Sequence, residues 1–255
     1  MGATRTLITM PNYDGTLHVR SQVQPTAARE VGTSSFQNSL APRSFTHCWL
    51  TAQEAALNQG FTHIAMQHTD ICPQALWLDV LHDEMERLDC DLISAVVPIK
   101  TTEGRTSTAV DRVIDGVLMQ RNLTLAECHR LPETFCAEDV EPGCRLLVNT
   151  GLWLARLDRP WCDAVNFQHI TWIDRRGDVP ILTQESEDWL MSRQLNLLGA
   201  KLYATRKVKL THRGYYEFSN EKPWGTETNT SYVPTHSVVP GYDPDYHPPG
   251  VIHGR

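Results

Sequence analysis

A chain of 255 residues with 41% hydrophobic content is long enough to bury one sizeable core, with or without an appendage. Its formal net charge of -7 argues against a surface built as a whole for a polyanion. Seven cysteines, an odd number placed singly with no CxxC, read as free thiols rather than a disulfide framework; a zinc site would have to rest on Cys128, His129 and Cys136.

In chain order, the amino terminus lacks the apolar run of a signal peptide and no later segment is long and apolar enough to span a membrane. A cytoplasmic protein, of a bacterium or of a virus-infected cell, without a membrane partner is expected. Residues 6–10 form a short strand ended by Pro11, with Asn12-Tyr13-Asp14-Gly15 as turn chemistry. Residues 21–42 are polar, and a helical pattern covers 44–59, closed by Gly60. Residues 62–66 follow as a buried strand, with Thr62, Ile64 and Met66 on one face and small Ala65 on the other. The chain then reaches a polar tip, His68-Thr69-Asp70. If it is still extended there, His68 and Asp70 point to one side, where an imidazole and a carboxylate can share a divalent cation. Pro73 suits the first position of a helix whose apolar spacing runs from Leu76 to Leu88. A second strand covers 91–98.

Strand, acidic tip, amphipathic helix and second strand together resemble the centre of a glycosyltransferase of the GT-A fold, family 2-like. Those enzymes carry Asp-x-Asp where this chain has His68-Thr69-Asp70. The resemblance implies an α/β, Rossmann-like domain over residues 1–214 with a mixed, mainly parallel sheet flanked by helices, and an extended Pro/Tyr-rich tail or lid over 215–255. It also implies that Asp70 holds Mn²⁺ (or Mg²⁺) bridging the diphosphate of a nucleotide-sugar donor, a UDP-sugar by expectation. His68 is then a metal ligand, a ribose contact or a spacer. By the same resemblance Thr9, Pro11 and Tyr13 lie against the nucleotide, and Arg43 at the start of the first long helix reaches the diphosphate.

Residues 100–108 are polar throughout and read as a surface loop near the sugar or acceptor, and 111–142 as an insertion. In the stretch 144–156 a strand breaks at Asn149-Thr150-Gly151 and resumes at once, so Gly151 allows a tight backbone path that a Cβ would block. In the family this turn lies beside donor sugar and acceptor, which brings Asn149 and Thr150 into the site. Ser186-Glu187-Asp188-Trp189 opens a helix closed by Gly199, with Ser186 as N-cap and two acids in the first turn. Capping alone accounts for these acids. The match to the family's E-D motif instead makes Asp188 the catalytic base of an inverting transfer and Glu187 its neighbour. Residues 208–214 alternate as a strand ending in His212-Arg213-Gly214, and family members place a metal-binding histidine at this position. Beyond Gly214 apolar periodicity stops, and the tail is expected to cover a donor or to dock on a second copy in a homo-oligomer. The acceptor, whether glycan, protein or modified DNA base, stays open. A nucleotidyltransferase of similar fold and a non-catalytic nucleotide-sugar or glycan-binding domain are the alternatives.

Overall fold

The computed structural model describes residues 4–12, 23–27, 29–37, 41–176 and 178–235. In chain order its elements are β1 (Arg5–Asn12), β2 (Glu30–Gln37), α1 (Ala41–Gln59), β3 (His63–Gln67), β4 (Ile71–Pro73), α2 (Trp77–Leu88), β5 (Leu92–Ala95), β6 (Arg105–Ile114) and β7 (Val117–Thr124). Then come α3 (Leu125–Cys128), β8 (Thr134–Phe135), α4 (Ala137–Val140), β9 (Arg145–Leu147), β10 (Leu152–Arg156), β11 (Ile170–Arg176) and β12 (Val179–Glu185). The last are α5 (Glu187–Leu197), β13 (Leu202–Thr205), β14 (Leu210–Arg213), β15 (Glu217–Ser219) and β16 (Val233–Pro234).

A seven-stranded sheet in the order β2-β1-β3-β10-β5-β13-β8 is the centre of the molecule. β2, β1, β3, β5 and β13 run one way and β10 and β8 the other, so the sheet is mixed and mainly parallel. Its central strands β3, β10 and β5 are buried and largely apolar on both faces, as strands covered on both sides are. Leu7, Ile64, Met66, Leu92 and Trp153 point to one side, where α1 packs through Phe45, Cys48, Trp49 and Ala52 and α5 through Met191 and Leu195. Their neighbours Ile8, Ala65, Ile93 and Leu154 point to the other, onto Trp77, Leu78, Leu81 and Met85 of α2.

Several expected boundaries move. Pro73 ends the strand β4 instead of starting a helix. Ile71, Cys72 and Pro73 pair antiparallel with His212, Thr211 and Leu210, and α2 begins at Trp77 after Leu76 turns the chain with φ 60°. The polar stretch after residue 21 contains β2, an edge strand parallel to β1. The expected loop 100–108 becomes β6 from Arg105 onward: Thr106 and Thr108 are buried, and the Thr106 hydroxyl donates to the Leu123 carbonyl at 2.7 Å. Within the insertion, Asp115 and Gly116, both at positive φ, turn β6 into β7. The chain beyond Gly214 continues into the fold: β15 pairs with β14, and the Asn220 amide, fully buried, donates to the carbonyls of Val96 and Val208 at 3.0 and 2.9 Å.

Candidate active site

Two features of the topology assemble the site. The chain leaves β1 toward β2 on one side and returns to β3 on the other, and the carboxyl ends of strands at such a switch are where open α/β sheets hold ligands. β10 runs antiparallel to β3, with Leu152 opposite Gln67, so the residues entering β10 lie beside those leaving β3.

The tip after β3 is a turn, closed by the Ile71 amide donating to the His68 carbonyl at 3.1 Å, rather than extended chain. β14, paired with β4, places His212 opposite Ile71 and brings its Nε2 to 3.3 Å from Asp70 Oδ2. The same carboxylate oxygen accepts from the Lys100 ammonium. Burial opposes ionisation of Asp70, and the His212 hydrogen bond and the Lys100 ammonium outweigh it, holding the carboxyl below the usual carboxylate range. His212 Nδ1 lies 2.7 Å from the Pro98 carbonyl. A carbonyl only accepts, so Nδ1 carries a proton and Nε2 is the atom that faces Asp70.

His68 stands beside this pair. Its ring stacks on Phe45 at 4.9 Å between centroids, its amide donates to the Gly151 carbonyl at 2.8 Å, and its Nε2 lies 3.4 Å from the Thr150 hydroxyl. Burial pushes His68 down to about 4 against the pull of Asp70, so its ring is neutral near pH 7. Among the described residues no group of three or more His, Cys, Asp or Glu side chains is placed to share a metal ion. Of the three side chains expected at the ion, the structure brings Asp70 and His212 into direct contact.

The strap 148–151 is fixed from below. The Asn149 amide donates to the Ala95 carbonyl at 2.8 Å and its Oδ1 accepts from the Gly151 amide at 3.0 Å, so this side chain shapes the turn from within. A Cβ on Gly151 would sit 3.2 Å from Asn149 Oδ1 and 3.3 Å from Val97 Cγ2, tighter than ordinary contact. Ser192 of α5 bonds both the amide and the carbonyl of Val148, at 3.0 and 3.2 Å.

At the start of α5, Asp188 Oδ1 accepts from the Ser186 hydroxyl and, at 2.9 Å, from the Trp189 amide. Burial, then the neighbouring charge of Glu187, pushes the Asp188 carboxyl up to about 7. Glu187 itself is bonded to His169. The chain following β5 joins both halves: Pro98 accepts from His212, Lys100 reaches Asp70, and Val97 accepts from the Ser107 amide at 2.9 Å. Ser107 in turn accepts from the Trp189 indole at 3.0 Å.

The other expected donor contacts are placed less directly. Thr9 is fully buried, with its hydroxyl 3.4 Å from the Ala65 carbonyl; Pro11 is buried near the end of β1; Arg43 is exposed in the first turn of α1. Tyr13 lies outside the described residues. Sequence reasoning missed Lys100 as a partner of Asp70 and Phe45 as the stacking partner of His68. Both contacts span more than one element, and only the polarity of residue 100 and the apolar face of α1 hinted at them.

No family model and no curated protein sequence matches the chain. Among solved structures, A197 from STIV aligns at a TM-score of 0.52 with 11% identity, over 91% of this chain and 100% of that one, a likeness of fold. Apo-UDP-glucose pyrophosphorylase aligns over 82% of this chain and 76% of that one at 11% identity, with a TM-score of 0.37, too loose to identify the fold.

Proposed function

We propose that the chain is a metal-dependent glycosyltransferase that moves a sugar from a nucleotide-sugar donor, a UDP-sugar in our reading, to an acceptor hydroxyl with inversion. The observation that carries this reading is the Asp70–His212 pair. With the His212 Nδ1 proton committed to Pro98, Nε2 faces the Asp70 carboxylate, and these two side chains are the ones that would hold a divalent cation. A carboxylate and an imidazole form a mixed O/N set that suits Mn²⁺ better than the oxygen-preferring Mg²⁺ or Ca²⁺, with ligand oxygens and water to complete the shell. The chemistry such an ion would supply there is neutralisation of the charge that develops on a diphosphate leaving group. Lys100 would then be freed from Asp70 toward the same diphosphate, and His68, Thr150 and the backbone of Gly151 would border the donor.

Asp188 is the base in this scheme. Oδ1 is held by Ser186 and the Trp189 amide, and Oδ2 takes the acceptor proton as the acceptor oxygen bonds to C1 of the sugar and the bond from C1 to the diphosphate oxygen breaks. A carboxyl raised to about 7 is a stronger base than an ordinary aspartate and suits work near neutrality. The test is incubation of the chain with a panel of nucleotide sugars, Mn²⁺ or EDTA, and candidate acceptors. Release of nucleoside diphosphate that needs the metal supports the reading. Formation of a nucleotide-sugar bond with pyrophosphate release would make the chain a nucleotidyltransferase, and absence of both with retained binding would make it a binding domain.

A further inference from the structure

Lys100 belongs to a second feature besides the Asp70 pair. With Thr101, Thr102, Gly214, Tyr215, Tyr216 and Phe218 it lines a cavity of about 550 Å³ between the loop after β5 and the β14–β15 hairpin. The size falls in the range of small-molecule sites. The hairpin fits closely against the loop: a Cβ on Gly214 would stand 3.0 Å from Lys100 Cδ, so a glycine there leaves room for the lysine stem. Phe218 is anchored inward, tilted against Trp224 at 5.5 Å, whereas Tyr215 is fully exposed and Tyr216 is 75% exposed. Two adjacent aromatic rings exposed at the rim of a cavity whose lysine pairs with Asp70 are an unfilled contact surface.

We infer that this cavity is the acceptor subsite and that it takes a neutral carbohydrate, a pyranose ring stacked on Tyr215 or Tyr216 with its hydroxyls on Thr101 and Thr102. The inference rests on the glycosyltransferase reading and supplies the acceptor class that reading leaves open. A pyranose has an apolar C–H face and a rim of hydroxyls, and the lining offers rings, hydroxyls and little else. The one cation in it, Lys100, pairs with Asp70 and, in the transferase reading, turns to the donor diphosphate, so in either case it is taken by a group other than the acceptor. A nucleic acid would also stack on tyrosines, but it needs a cationic track for its phosphates, and neither this lining nor a net charge of -7 supplies one.

The test titrates the full chain, and a Tyr215→Ala/Tyr216→Ala variant, with neutral gluco-, manno- and chito-oligosaccharides by calorimetry. A pyrimidine-rich single-stranded oligodeoxynucleotide serves as the comparison probe. Both tyrosines are exposed, so the variant should melt with the parent. We expect at least one oligosaccharide to bind the parent and to bind the double variant at least tenfold more weakly. Failure of every oligosaccharide to bind, equal binding by the variant, or preferential capture of the oligodeoxynucleotide would overturn the subsite. Metal-dependent donor hydrolysis by the parent is measured alongside. If it is absent while tyrosine-dependent oligosaccharide binding persists, the transferase reading fails and the stacking site stands as a glycan-binding surface.

Discussion

Asp188 is where capping and catalysis make different predictions from the same atoms. As a carboxylate in the first turn of α5 it would contribute well under about 1 kcal/mol through the helix dipole, and Asp188→Asn would leave turnover nearly intact. As the base, the same isosteric change should lower kcat by roughly a hundredfold or more in single-turnover assays, with donor affinity unchanged. The pH profile separates the two roles further. A base whose pKa stands at about 7 makes kcat climb as pH rises through neutrality, and the Asn variant should lose that limb. A residue that only caps would give no such limb. At the Asp70–His212 pair, which we propose holds the cation, Asp70→Ala should abolish Mn²⁺-dependent nucleotide binding and His212→Ala should weaken it clearly. His68→Ala should spare metal affinity, because that ring faces Phe45 and Thr150; a loss equal to that of Asp70→Ala would make His68 a ligand.

Among the elements, α5 depends most on charges hidden from water. Arg193, fully buried, bonds Asp111 of β6 at 2.6 Å, Gln120 of β7 at 2.6 Å, and Glu185, which precedes the cap of α5. Arg145 of β9 reaches the other oxygen of Asp111 at 2.7 Å. Arg193→Met would strand carboxylates in the interior and should lower unfolding free energy by about 3–5 kcal/mol in urea melts. A loss under about 1 kcal/mol would mean that the network is not what fastens the helix. Gly151→Ala, which crowds Asn149 and Val97, should cost about 1–3 kcal/mol by the same measurement. The elements legible in the sequence were those with an apolar run or period of their own: β1, β3, β5, β9, β10 and β14 among the strands and α1, α2 and α5 among the helices. β4 was hidden because three residues carry no period and Pro73 fits a strand end as well as a helix start. β2 was hidden because an edge strand reading Glu-Val-Gly-Thr-Ser-Ser-Phe-Gln has little apolar alternation. Asp115-Gly116 was an ordinary hairpin signal that went unread among the mixed residues of the insertion. In the site, Asp70 and His212 were singled out from sequence alone, but their meeting depends on β4 pairing with β14, which no local pattern encodes.

At the scale of the whole molecule, the sheet face under α2 encloses two imidazoles that the fold keeps neutral. His82 is fully buried with Nε2 2.8 Å from the Thr6 hydroxyl, and its ring lies 4.8 Å from that of His63. Burial, then the charge of His63, pushes His82 down to about 3; burial, then Arg156, pushes His63 down to about 4. In the unfolded chain both titrate near 6.5. The unfolded state therefore binds more protons between those values, and stability, complete above about pH 6.5, falls as pH drops toward 4 and 3. Urea midpoints at pH 7.5, 5.5 and 4.5 should decline in that order, with a shallower slope in His82→Gln; a flat series would contradict the burial of neutral rings. The account as a whole turns on whether the Asp70–His212 pair holds a cation together with a nucleotide. The most direct measurement is calorimetric titration of UDP into the parent chain with Mn²⁺ and with EDTA, repeated with Asp70→Ala. The account predicts binding that requires both Mn²⁺ and Asp70, whereas UDP binding indifferent to EDTA and to the loss of Asp70 would contradict it.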